Sequence, residues 1–259
     1  MKIAVLVKHV PDSTGARAFA ADNTTDRVGV DGLLSELDEY AVEQSLRLVE
    51  AAGEGEITFV TMGPDAAGTA LRKALSMGGD AAVHVVDDGL HGSDAPATSL
   101  VLAKALEKLE FDLVVAGMAS TDGGMSVVPV MVAERLGLPA ATMASELTVA
   151  DGKAVIRRDG DVASETIEVS LPALVSVTDQ TGEARYPSFK GIMAAKKKPV
   201  TTYTLADLGI DPAQVGLAAA WTQVQSATAR PPREAGVKVT DEGDGGSKLA
   251  DFLATQKFI

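Results

Sequence analysis

Apolar and polar positions fall into blocks whose period changes along the chain. Residues 2–7 are a short run rich in β-branched side chains and read as a buried strand. A polar stretch of about thirty residues follows, long enough in a compact domain to be functional or folded against another surface. From Leu34 to Glu50 the period becomes helical. Tyr40, Val42, Leu46 and Val49 form the apolar stripe, and Asp38 and Glu39 sit near the start, where the helix dipole favours negative charge. Ile57–Met62, Ala81–Val86 and Asp112–Ala116 read as further buried strands, and 66–77, 94–109 and 127–136 as helices. Four strand–helix repeats in succession predict an α/β fold: a parallel sheet with helices on both faces, right-handed crossovers, and ligands beyond the carboxyl ends of the strands.

After residue 140 the pattern changes. Segments 144–149, 154–158, 164–170 and 173–178 are short and β-rich, and Asp151-Gly152 and the 159–163 loop are hairpin signals. These segments predict an antiparallel extension of the sheet or a small flap. Residues 179–199 read as a loop, and beyond Gly209 helical and strand signals thin out. The stretch 226–247, with Arg230-Pro-Pro-Arg233 and many Gly, Asp and Glu residues, cannot build a core. It reads as an arm closed by a short amphipathic helix at 247–256. The predicted organisation is a domain over 1–225 and an arm over 226–259 that lies on another surface.

Composition narrows the function classes. A formal net charge of −13 disfavours a general nucleic-acid or anionic-membrane surface. With no cysteine, disulfides, thiolate metal sites and a cysteine nucleophile are excluded, and the three histidines show no metal-ligand spacing. No apolar run reaches membrane-spanning length, and the apolar start is too short for a signal peptide, so the chain reads as cytoplasmic and not membrane-inserted.

The strongest local signal is the loop from Gly117 to Ser126, which follows an apolar strand and precedes a helix. Glycines there free backbone N–H groups for an anion, and Ser120, Thr121 and Asp122 can add side-chain hydrogen bonds. It is neither a Walker A loop nor a GxGxxG fingerprint, so phosphate binding and an ordinary strand-to-helix turn both remain open. The carboxylates of Ser35-Glu36-Leu37-Asp38-Glu39 suit a ribose or a helix cap, and Gly63-Pro64-Asp65 suits nucleotide contact or a tight turn. Glu165, with Arg157 and Arg158 nearby in sequence, reads as a solvated charge on a strand. The run Lys196–Lys198 reads as a solvated segment, or as a local basic contrast that steers an acidic partner. No catalytic constellation can be assembled.

Several segments, in order, resemble the electron transfer flavoprotein β family. They are Val5-Leu-Val-Lys-His-Val-Pro-Asp12, Asp38-Glu-Tyr-Ala-Val-Glu43, Thr61-Met-Gly-Pro64, Leu71–Gly78, Gly117-Met-Ala-Ser-Thr-Asp-Gly123, Leu205-Ala-Asp-Leu-Gly209 and Ala235-Gly-Val-Lys-Val239. Most specific is RYPSFKGIMAAKKKP from Arg185 to Pro199. Two loops depart from the family: Ser35-Glu36 stands where an Asn-Pro pair is usual, and Gly182-Glu183-Ala184 where Asn-Glu-Pro is usual.

The resemblance implies an adenine nucleotide alpha hydrolase-like fold and an α-subunit partner, the two chains forming a heterodimer that holds FAD mainly in α. It implies AMP as a structural ligand of this chain, contacted by Leu6, Ser35, Glu36, Leu37, Asp38, Met62, and the loop Gly117, Ser120, Thr121, Asp122, Gly123, Gly124, Met125, Ser126, Val127 and Val128. It implies electron flow from acyl-CoA and related dehydrogenases to a membrane quinone reductase, as in fatty acid oxidation. A docking loop over about 184–199 would present Tyr186, Phe189, Ile192 and Met193, and Glu165 would be tied to partner-induced movement of the flavin domain. The flavin carries the redox work while the protein binds and orients it, so this chain is expected to be a carrier subunit and not an enzyme. Two other readings fit the same sheet: a bifurcating relative with a second FAD and NADH oxidation, and a stand-alone ATP-binding module.

Overall fold

The structure, a computed structural model, describes residues 1–233 and 235–259. The chain forms two compact units, Met1–Gln225 and Ser226–Ile259. In chain order the first unit contains β1 (Lys2–Leu6), β2 (His9–Pro11), β3 (Gly32–Leu34), α1 (Glu36–Ala52), β4 (Glu56–Met62), α2 (Gly68–Met77), β5 (Ala81–Val85), α3 (Ala95–Leu106), β6 (Leu113–Gly117) and α4 (Val128–Leu136). It continues with β7 (Ala140–Ala144), β8 (Glu146–Ala150), β9 (Lys153–Asp159), β10 (Ser164–Ser170), β11 (Ala173–Val177), α5 (Phe189–Ala195), β12 (Val200–Tyr203) and α6 (Gly216–Ala219).

Seven strands form the central sheet in the order β12-β5-β4-β1-β6-β11-β7, every neighbouring pair parallel. The two-residue period of a strand divides its side chains between two cores. Ile3, Val5, Ile57, Phe59, Leu113, Val115 and Val175 face α1 and α2. Ala4, Leu6, Val60, Val114, Ala116 and Leu174 face the α3 and α4 side. Apolar runs without polar alternation are what a strand covered on both faces requires. From β1 the chain moves outward through β4 and β5, then returns through α3 to β6 on the other side of β1. The strand order therefore reverses between β1 and β6, and folds of this class bind ligands in the crevice outside that point.

The parallel α/β core expected from the sequence is present, with several differences. The long polar stretch after β1 is not free loop throughout: β2 and β3 pair antiparallel within it, and Phe19 bridges Thr25. Of the β-rich segments after residue 140, only β8, β9 and β10 form an antiparallel sheet, and it stands apart from the central one. The segment 173–178 does not extend the sheet in antiparallel fashion. As β11 it lies inside the central sheet, parallel between β6 and β7, because all five of its residues are buried and need cover on both faces. The loop expected over 179–199 holds the helix α5, and β12 follows it as an edge strand on β5. In the second unit α7 (Gly245–Thr255) has no buried residue.

Candidate nucleotide site and docking segment

At the reversal point β1 and β6 are locked together by α1. Asp38, in the first turn of α1, is fully enclosed, and one carboxylate oxygen accepts the Lys8 backbone N–H at 2.8 Å. Burial pushes its carboxyl up to about 7, although the Lys8 and Gly117 backbone N–H groups and the Lys8 charge pull the other way. Gly117, the last residue of β6, packs directly on the start of α1. A β-carbon there would lie 2.5 Å from the Asp38 carboxylate and 2.8 Å from the Leu37 carbonyl oxygen, so only glycine fits. The predicted contacts Leu6, Ser35, Asp38 and Gly117 are thus brought together at the strand-order reversal, all buried and none of them on a cavity wall, with Leu37 half-buried and Glu36 exposed beside them.

The loop after β6 is organised by Asp122. Its side chain is 3 % exposed and receives Lys8 Nζ at 2.9 Å, Arg27 Nη2, and the Gly123 backbone N–H at 2.7 Å. Burial opposes its ionisation, but Lys8, Ser120 and Arg27 together hold the carboxyl well below the usual range. Lys8 Nζ also lies 3.4 Å from the Ser120 hydroxyl. Asp122 therefore fixes two cations in place with its own oxygens already occupied. Gly124 and Ser126 both take positive φ, which lets the loop turn into α4. Gly123, Gly124, Met125 and Ser126 are exposed, and Val127 and Val128 half-buried.

A cavity of about 1480 Å³ opens beyond the carboxyl ends of β1, β4 and β5. Among the predicted residues Met62 and Met125 line it, and Gly63-Pro64-Asp65 forms part of its wall. Lys8, His9, Arg27, Asp22, His91 and Trp221 also line it, and sequence reasoning named none of them as contacts. Lys8 was findable, since it lies two residues beyond the end of β1. Arg27 was not, because it belongs to a polar loop with no period. His91 Nε2 lies 2.7 Å from the Asp22 carboxylate on the cavity rim.

Among the described residues four buried side-chain atoms have no hydrogen-bond partner: Ser35 Oγ, Thr121 Oγ1, Thr61 Oγ1 and His9 Nδ1. Ser35 stands at the N-cap of α1 and makes no side-chain cap bond. Unpaired buried hydroxyls are costly; Thr121 precedes Asp122, which holds both cations, and Ser35 stands at the start of α1. Hydroxyls, a lysine and an arginine are the donor types that a polar anionic ligand such as a nucleotide takes.

The second set of predicted residues lies elsewhere. Tyr186 is 92 % exposed and Phe189 81 %, with Ile192 and Met193 about half exposed, all within or just before α5. Glu165 is not part of that group: it sits on β10 in the separate antiparallel sheet, where Arg158 holds it by two hydrogen bonds of 2.9 and 2.7 Å. The lysine run is not uniformly solvated. Lys198 turns inward, and Nζ donates to the carbonyls of Leu75 and Gly78. Among the described residues no helix is long and apolar enough to cross a membrane, and no acidic or histidine cluster could hold a metal.

The chain is similar in sequence to known proteins. A profile of the electron transfer flavoprotein domain matches residues 22–208. The chain is 48 % identical to "Electron transfer flavoprotein subunit beta" of Mycobacterium leprae and 47 % to that of Mycobacterium tuberculosis H37Rv, each over 99 % of both chains. It is 34 % identical to "Caffeyl-CoA reductase-Etf complex subunit CarD" of Acetobacterium woodii, over 93 % of this chain and 92 % of that one. With a full-length match at this identity and a reversal-point crevice on a parallel α/β sheet, the chain belongs to the electron transfer flavoprotein family as a β subunit, an electron-transfer component that implies an associated flavin and an α-subunit partner.

Proposed function

We propose that this chain is the β subunit of a cytoplasmic, heterodimeric carrier that binds AMP as a structural ligand, helps its α partner hold FAD, and relays electrons from acyl-CoA and related dehydrogenases towards a membrane quinone reductase. The observation that carries the nucleotide reading is the pair of unpartnered hydroxyls, Ser35 Oγ and Thr121 Oγ1, at the strand-order reversal. Among the described residues, Lys8 and Arg27 are the only lysine or arginine residues lining the cavity, and both are already drawn to Asp122. The rest of the charged wall is acidic, with Asp22, Asp65, Asp87, Asp88 and Asp94. Such a lining suits one phosphate near the two cations and disfavours the longer phosphate chain of ATP or of a second FAD. This favours the AMP-binding carrier over the bifurcating reading.

FAD, when bound in the complex, supplies the one- and two-electron chemistry. This chain's residues bind and orient. Asp38 ties α1 to the ends of β1 and β6, and Asp122 positions Lys8 and Arg27 at the nucleotide. The exposed Phe189, with Tyr186, Ile192 and Met193, is the apolar surface a transient protein partner would bury. Glu165 is proposed to act where the flavin domain moves, which requires that Arg158 release it.

The test is co-purification with the α subunit and quantification of the nucleotides released on denaturation. One FAD and one AMP per heterodimer is the expected result. Two FAD without AMP would replace it with the bifurcating reading, and ATP without flavin would leave only the fold.

A further inference from the structure

The docking segment poses a physical problem. α5 has seven residues, and a helix so short does not persist in water by itself. Only Ala195 among them is buried, so a hydrophobic face does not hold it either. Its first turn is closed locally, with Ser188 Oγ accepting the Gly191 N–H at 3.0 Å. Neither α5 nor α2 carries a basic residue in its own last turn.

Each helix receives that cation from the other. Arg72, on α2, donates from Nη1 to the Ala195 carbonyl at the end of α5, at 2.6 Å. Lys198, three residues beyond α5, donates from Nζ to the Leu75 and Gly78 carbonyls at the end of α2, at 2.9 and 3.1 Å. Cations at helix C-termini satisfy orphan carbonyls and complement the dipole. Between the two caps the helices touch closely: a β-carbon on Gly191 would lie 2.3 Å from the Ser76 carbonyl oxygen. At the start of the segment Arg185 grips α1, with Nε 2.7 Å from Glu43 and Nη2 3.0 Å from Glu50. Glu43 is itself nearly inaccessible and also holds Arg47, which donates to the Glu183 carbonyl.

We propose that Arg72 and Lys198 are positioning residues that cap α2 and α5 reciprocally and, with Arg185 and Gly191, make the docking segment a preformed rigid platform. This rests on the reading that the segment docks a dehydrogenase. The platform spends its polar groups inward on helix ends, which leaves Phe189, Ile192 and Met193 outward in fixed relative positions. Partner binding then meets a prepared surface and orders little new backbone.

The test uses the full heterodimer with wild-type, Lys198→Met, Lys198→Arg, Arg72→Gln and Phe189→Ala forms of this chain. Amide exchange of residues 186–198 is followed by mass spectrometry, and steady-state electron transfer is measured with an acyl-CoA dehydrogenase reduced by its acyl-CoA substrate. Lys198→Met and Arg72→Gln should speed exchange across α5 by about tenfold, with α1 unchanged. They should raise KM for the dehydrogenase with little change in kcat or FAD content, and Lys198→Arg should restore both readouts. Wild-type exchange in α5 for both Lys198→Met and Arg72→Gln would overturn the proposal. Faster exchange with no change in KM, for Phe189→Ala as well as Lys198→Met, would keep the reciprocal caps and remove the docking reading instead.

Discussion

The cavity and the docking segment lie in the same unit and leave opposite kinds of chemistry unsatisfied. At the strand-order reversal, hydroxyls of Ser35 and Thr121 are buried without partners, while the apolar strands beneath them are fully packed. On the docking segment the polar groups are satisfied and the apolar side chains of Tyr186 and Phe189 stand in solvent. A polar atom without a partner calls for a ligand that offers hydrogen bonds, and an apolar side chain without cover calls for a surface that excludes water. The difference teaches that one α/β unit can leave polar and apolar chemistry unsatisfied in separate places, each recognisable by what it lacks. Their supports differ too. The cavity loop hangs on two buried carboxylates, Asp38 and Asp122, whereas the segment hangs on helix-end carbonyls.

Replacing the larger support should show the greatest effect. Asp122→Ala leaves Lys8 and Arg27 without their shared partner, and should cost about 3 kcal/mol in urea unfolding of the heterodimer. The loss should appear with the docking segment's amide exchange unchanged; equal loosening of both regions would erase the distinction between them. Asp38 makes the cavity sensitive to pH. Its folded value is raised above the ordinary 3.8 to about 7, so the folded state binds the extra proton in between. Its contribution to stability is therefore fully present at low pH and declines as pH rises towards 7, by about 2 kcal/mol between pH 5 and 7. Asp38→Asn should remove that slope, which parallel unfolding curves of the two proteins at each pH would reveal. A constant difference from pH 5 to 8 would show that Asp38 does not titrate there.

On the other side of the comparison, Phe189→Ala should weaken the dehydrogenase complex by about tenfold and leave AMP and FAD content untouched. Equal electron-transfer rates for both proteins would remove the segment from docking. The smallest change is Ser35→Ala. It should leave the nucleotide-free protein as stable or more stable, since the buried hydroxyl has no partner there, and should lower AMP affinity by about 1 kcal/mol in calorimetric titration. A loss of stability without nucleotide would mean the hydroxyl already has a partner in solution.

Much of the core was legible in the sequence because a buried parallel strand advertises itself. The β-branched and apolar run at Ile57–Met62 and the all-apolar run at Leu113–Ala116 needed no partner to be read. β11 was equally apolar but followed three hairpin-like segments, and neighbourhood misled where composition was clear. β12 and α5 were hidden because their order comes from long-range contacts: β12 has only an edge of β5 to pair with, and α5 has its distant caps. In the site, Ser35, Asp38 and Gly117 were visible through position in the strand–helix repeat. The Arg27–Asp122 pair joins residues far apart in sequence, and only the fold brings them together. Lys198 was misjudged for a related reason, since a lysine beside two other lysines reads as solvated until a helix end is found beneath it.

The close approach of Gly191 to the Ser76 carbonyl has a consequence for how such a protein can diversify. A framework that pins the segment through one glycine and two caps confines strict steric demands to positions that touch no partner. The neighbouring positions 189, 192 and 193 are about half exposed or more, so their outer parts can change in size and shape at little cost to folding. This surface can thus be rewritten one residue at a time, while position 191 beneath it has no room for any side chain.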